Sequence, residues 1–127
     1  LKDKSGFWEE KILDCHIKSL YLCVKNMERA IRFYENFFEK EVTIKNEIYS
    51  VFDINGFRFG LFAFEKMNEN HSFGSNCLPS IDVADLEILK NKIKDLELCF
   101  PLTQINTNWV VEFIDSEGNH IELTAPV

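Results

Sequence analysis

Between Ile17 and Val24 apolar and polar residues alternate, with Leu20, Leu22 and Val24 on one face and Ser19, Tyr21 and Cys23 on the other. This period of two predicts a strand with one buried face. The period then lengthens. Met27, Ala30, Ile31, Tyr34, Phe37 and Phe38 recur at helical spacing, which predicts an amphipathic helix. Asn26 is placed to cap it, and Glu28 lies near the positive end of its dipole. Strands are predicted at Val42 to Ile44, Ile48 to Ile54 and Phe57 to Phe64. The last two are joined by Asn55-Gly56, a dipeptide suited to a type I′ hairpin turn. Residues 66–77 are polar, contain Gly74 and read as a linker.

After the linker the pattern returns. Pro79, Ile81 and Val83 alternate with Leu78, Ser80 and Asp82. Asp85 is placed to cap a second helix whose stripe is Leu86, Leu89, Ile93 and Leu96. Leu98 to Leu102, Trp109 to Ile114 and Asn119 to Ala125 read as strands, with Pro101 assigning the first to a sheet edge. Val24-Lys25-Asn26-Met27-Glu28 matches Val83-Ala84-Asp85-Leu86-Glu87 in pattern, and Asn55-Gly56-Phe57-Arg58-Phe59-Gly60-Leu61 matches Glu117-Gly118-Asn119-His120-Ile121-Glu122-Leu123. The chain is therefore read as an α+β protein of tandem βαβββ modules. They should form a curved mixed sheet with a shared cleft inside and helices outside. The boundaries are an N-terminal extension at 1–16, modules at 17–65 and 78–127, and the linker at 66–77. In the extension Ser5 could cap a short helix carrying Phe7, Trp8 and Ile12, packed on a sheet edge or helix, with a lid as the minority reading.

A net charge of −7 changes this picture by what it excludes. It disfavours a grip on nucleic-acid phosphates or on an anionic membrane surface. No apolar run is long enough to span a bilayer. Cys15, Cys23, Cys77 and Cys99 show neither a CxxC pair nor zinc spacing, so they are expected as reduced, mostly buried thiols of a cytoplasmic protein. Twelve phenylalanines promise an aromatic core.

The tandem pattern, Val24-Lys25-Asn26 leading into the helix, Arg32-Phe33-Tyr34-Glu35 within it, and Asp115-Ser116-Glu117-Gly118-Asn119-His120-Ile121-Glu122-Leu123 together resemble the vicinal oxygen chelate superfamily. That superfamily includes glyoxalase I, extradiol dioxygenases, and fosfomycin- and bleomycin-resistance proteins. Ser116 stands where the family usually has proline. The resemblance covers about residues 17 to 125 and implies a homodimer. It also implies metal ligands at four cleft-facing positions, which here are Ser19, Gly60, Leu78 and Glu122. Glu122 alone is a good ligand type, whereas a catalytic divalent metal needs about three.

By alternation Ser19, Tyr21, Phe62, Ser80 and Asp82 should share the cleft face, an apolar wall with a few polar groups of the kind that lines small-molecule pockets. His120 and Glu122 face the same way. Arg58, at the position equivalent to His120, is expected as a partner for Glu122. The expected ligand-binding set is thus Ser19, Tyr21, Arg58, Phe62, Ser80, His120 and Glu122, with no metal site and no cofactor. The leading reading is a protein that binds a small organic molecule. The alternative is an enzyme of lyase, isomerase or dioxygenase type, using His120 and Glu122 as acid and base or holding a divalent metal with outside help. A third reading is a structural or interaction protein whose own aromatic side chains fill the cleft.

Overall fold

The computed structural model describes Asp14, residues 17–69 and residues 77–127. The first module comprises β1 (Ser19–Cys23), helix α1 (Met27–Phe38), β2 (Tyr49–Ile54) and β3 (Phe57–Phe62). The second comprises β4 (Ser80–Asp82), α2 (Leu86–Ile93), β5 (Leu98–Ile105), β6 (Asn108–Ile114) and β7 (His120–Pro126). Among the described residues these strands make two mixed sheets, ordered β1-β3-β2 and β4-β7-β6-β5. In each, the first strand runs parallel to the last and the remaining pairs are antiparallel. The α+β class is present, and among the described residues the expected βαβββ order is complete in the second half and shortened to βαββ in the first. The sheets are separate ladders, so among the described residues β1 and β4 each present an unpaired edge.

Both helices begin at the expected caps, where Asn26 accepts from the Arg29 N–H and Asp85 from the Ile88 N–H through their side chains. Helix α1 joins the modules. Its Tyr34 ring lies 4.9 Å from Phe59 in β3, while Phe37 lies 5.2 Å from Phe113 in β6. Leu22, Val24, Ile31, Phe52, Leu61, Leu89, Val111, Ile121 and Leu123 complete one buried cluster shared by both sheets. Lys92 of α2 bonds Glu39 at the end of α1 and lies 5.7 Å above the Phe37 ring.

Three local expectations are corrected. Val42 to Ile44 forms only an isolated bridge, Ile44 to Val51. Side chains take part of the ladder's donors there: Glu35 accepts from the Val42 N–H and Thr43 from the Asp53 N–H, while the Thr43 and Ile44 N–H groups share the Val51 carbonyl. Such local bonds compete with a ladder. Strand β5 runs on to Ile105 and turns tightly into β6, with Asn106 taking a positive φ of 54°; Asn is one of the few residues that tolerate this. The cysteines are less buried than expected, since Cys77 and Cys99 are exposed and Cys23 is half-buried. Exposure follows from their places, at the linker's end and on the edge strand β5. Cys15, like the predicted N-terminal helix, lies outside the described residues.

Candidate functional site

The Asp115–Asn119 turn that carries the family resemblance is built as a clamp between modules. Asp115 Oδ1 accepts from the N–H groups of Glu117 and Asn119 at 2.8 Å each, closing the turn. Its Oδ2 accepts from the buried Tyr34 hydroxyl of α1 at 2.6 Å. Glu117 reaches further: Oε1 accepts from the N–H groups of Lys25 and Asn26 at the start of α1, both at 3.0 Å. Its Oε2 takes the Arg29 Nε at 2.7 Å. Asn119 Nδ2 donates to the Cys23 carbonyl at 3.0 Å. Burial pushes the Glu117 carboxyl up, but the Arg29 guanidinium and the two backbone donors outweigh it and hold the group below its ordinary value. The Tyr34 hydroxyl is pushed well above its usual range by burial and by the Asp115 charge. These residues position the ends of β1 and β7 against the start of α1.

The strands so positioned present a polar face on the side away from the aromatic core. In the second module Ser80 pairs with Glu122 across β4 and β7, and its hydroxyl donates to Glu122 Oε1 at 2.6 Å. Asp82 likewise receives the Thr124 hydroxyl at 2.9 Å. His120 sits two residues before Glu122 on this face, opposite Ile114 of β6. In the first module Ser19 pairs with Arg58, Tyr21 with Gly60 and Cys23 with Phe62. The expected Arg58–Glu122 pair does not form among the described residues. Glu122 Oε1 accepts instead from Ser80 within its own module, and the buried Arg58 Nε has no hydrogen-bond partner among the described residues.

The same face tests the metal centre that the resemblance implies. Gly60 offers no donor atom, and the reason is steric. A Cβ there would stand 2.0 Å from Tyr21 Cδ1, because the tyrosine ring lies across the glycine. Tyr49 supports that ring edge-on, with centroids 4.4 Å apart. Leu78 also lacks a donor and precedes β4, and Ser19 brings only a hydroxyl. One carboxylate and one hydroxyl do not make a divalent-metal site. The residues present do not fit the family's metal.

An apolar cavity of about 380 Å³ is lined by residues of both the edge strand β1 and the edge strand β4. Leu20, Phe38, Phe57, Phe59 and Ile81 supply its walls, and Ser80 and Asp82 its polar margin. Ser80 is the single member of the expected ligand-binding set that lines it. Alternation had already placed Leu20 on the apolar face. What escaped sequence reading is that β1 and β4 leave a gap between them rather than pairing.

No family model matches the chain. Solved structures do match over most of its length. A glyoxalase-related enzyme from Fulvimarina pelagi aligns with a TM-score of 0.72 at 14% identity, covering 87% of this chain and 87% of its own. A glyoxalase/bleomycin resistance protein/dioxygenase from Nocardioides gives 0.73 at 13% identity, with 93% and 87% covered. A lactoylglutathione lyase from Agrobacterium tumefaciens gives 0.71 at 15% identity, with 87% and 92% covered. At such identities the likeness carries the fold and not the activity. The chain has the fold of the vicinal oxygen chelate superfamily.

Proposed function

We propose that the protein binds a small organic molecule in the seam between its two modules, without the four-ligand metal centre that the sequence resemblance implies. The observation that carries this reading is the apolar cavity of about 380 Å³ at the β1–β4 junction. Its size falls within the range of small-molecule pockets, and its few polar groups converge at one margin. The ligand's apolar body packs against Leu20, Phe57, Phe59 and Ile81. Its polar end faces Ser80 and Asp82, where an acidic margin on an acidic chain favours a donor or a cationic group. A ligand that extends past the seam meets Ser19, Tyr21, Arg58 and Phe62 on one side and His120 and Glu122 on the other. A homodimer and a cytoplasmic place of action belong to the same proposal, the first checked by sedimentation.

Thermal-shift screening of a metabolite and antibiotic library, run with a chelator present, tests the reading. At least one compound class should raise the melting temperature of the native chain. That shift should vanish in Ile81→Trp, which fills the cavity. A shift that survives Ile81→Trp would place the ligand elsewhere, and a library without effect would turn the reading down.

A further inference from the structure

The polar face of the second module holds a side-chain cluster that neither the clamp nor the cavity uses. Cys99 of β5, Glu112 of β6 and His120 of β7 bring one donor atom each to within 4.8 Å of one another. Three adjacent strands contribute one ligand apiece, so the backbone that spaces them is a continuous antiparallel ladder. Glu112 pairs with Glu122 and Ile114 with His120, which puts Glu112, His120 and Glu122 on one face. Cys99 joins them through an irregularity. The β5–β6 register shifts by a residue between Leu98, opposite Phe113, and Phe100, opposite Glu112. A bulge of this kind re-aims the side chain it leaves unpaired, and that residue is Cys99.

A second observation points to a cation. Glu112 and Glu122 stand directly opposite each other in the ladder. Like charges so placed repel, and among the described residues neither carboxylate has a basic partner. The Ser80 hydroxyl answers one oxygen of Glu122 and brings no charge. Among the described residues the face therefore groups two carboxylates, a thiol and an imidazole with no lysine or arginine paired to either carboxylate.

We propose that Cys99, Glu112 and His120 bind a borderline-soft divalent metal of the zinc type. Sulfur, nitrogen and oxygen donors together suit Zn²⁺ or Co²⁺, whereas Ca²⁺ and Mg²⁺ require oxygen. Ligand atoms around tetrahedral zinc lie roughly 3.5 Å apart, so side-chain rotation alone closes this cluster. Binding converts the Cys99 thiol to a metal-bound thiolate and releases its proton to solvent. Three protein ligands leave a fourth position open beside an exposed cysteine. The site shares no residue with Ser19, Gly60, Leu78 and Glu122, and it does not depend on the ligand reading of the seam.

Titration of the full chain with Co²⁺ tests the site. One equivalent should bind and show a thiolate-to-cobalt charge-transfer band. Cys99→Ser should abolish the band, and His120→Gln and Glu112→Gln should each weaken binding at least about tenfold, the scale at which even indirect supports of a metal act. Cys77→Ser should leave the spectrum unchanged. On the native chain, without substitution, Zn²⁺ should slow alkylation of Cys99 at least about tenfold and leave that of exposed Cys77 unaffected. Absence of stoichiometric binding, a band that persists in Cys99→Ser, or equal protection of both cysteines would each overturn the proposal.

Discussion

The two hairpins that follow Asp53 and Asp115 occupy equivalent places in the two modules, yet they do different work. Each opens with an aspartate whose Oδ1 caps the turn, and each has a glycine two residues before its returning strand or one before it, at φ of 91° and 90°. In the first module Asp53 accepts from the Gly56 N–H at 2.8 Å, and the turn faces water. In the second, Asp115 and Glu117 are buried and bind α1 across the module boundary, Glu117 at its start and Asp115 at Tyr34 further along. The difference shows how a repeated fold becomes one body. Local turn chemistry is common to both copies, and the contact that joins the copies is carried by side chains added to one of them.

The largest test removes that contact. Glu117→Ala leaves two backbone donors and a guanidinium without their acceptor, and should destabilise the protein by about 3 kcal/mol in urea unfolding. Asp53→Ala, the matched change in the first hairpin, removes one exposed bond and should cost about 0.5–1 kcal/mol. Equal losses would show that the second hairpin is no clamp. The clamp also has a pH signature. Because the folded Glu117 carboxyl lies below its ordinary value of 4.5, its contribution is fully present above that value. It is lost as the pH falls through the lower folded value. Glu117→Gln should therefore flatten the acid limb of the stability curve.

Tyr34→Phe probes the clamp from the helix side. It deletes the donor that meets Asp115 Oδ2 at 2.6 Å while keeping the ring in the aromatic core. A buried carboxylate losing one charged hydrogen bond should cost about 2 kcal/mol. A loss below about 0.5 kcal/mol in the same unfolding assay would mean that water replaces the hydroxyl.

Gly60 and Glu122 extend the comparison to the polar face, since they are the matched positions of β3 and β7. Gly60→Ala forces the Tyr21 ring aside and should cost about 1.5 kcal/mol, the usual scale of overpacking. The cost should largely disappear in a Tyr21→Ala background. Additive losses in this double-mutant cycle would mean that the ring does not require the glycine.

How far these features were legible in the chain follows from their range. The helix caps at Asn26 and Asp85, the Met27 to Phe38 stripe and the alternation of β7 are local, and each stands where its period put it. The turn from Asp115 to Asn119 was legible as a turn, but its partners at Lys25, Asn26, Arg29 and Tyr34 lie far away in sequence and follow no period. The Cys99 cluster depends on a register shift, and the seam depends on two edges that fail to pair. Neither leaves a mark in composition. Arg58 illustrates the limit: its equivalence to His120 was correct, but Glu122 found a nearer partner in Ser80.

The smallest effect sharpens the comparison by predicting no difference. Gly56 and Gly118 hold φ near 90°, a conformation that costs any residue with a Cβ. Nothing lies within 4 Å of a Cβ built on Gly56, so its substitution reports the backbone alone. Gly56→Ala and Gly118→Ala should each cost about 1 kcal/mol and match within error. A Gly118→Ala loss well above that of Gly56→Ala would show that the backbone of the second turn is itself held by the clamp. The added side chains would then have changed the turn they were built on, and not only what it binds.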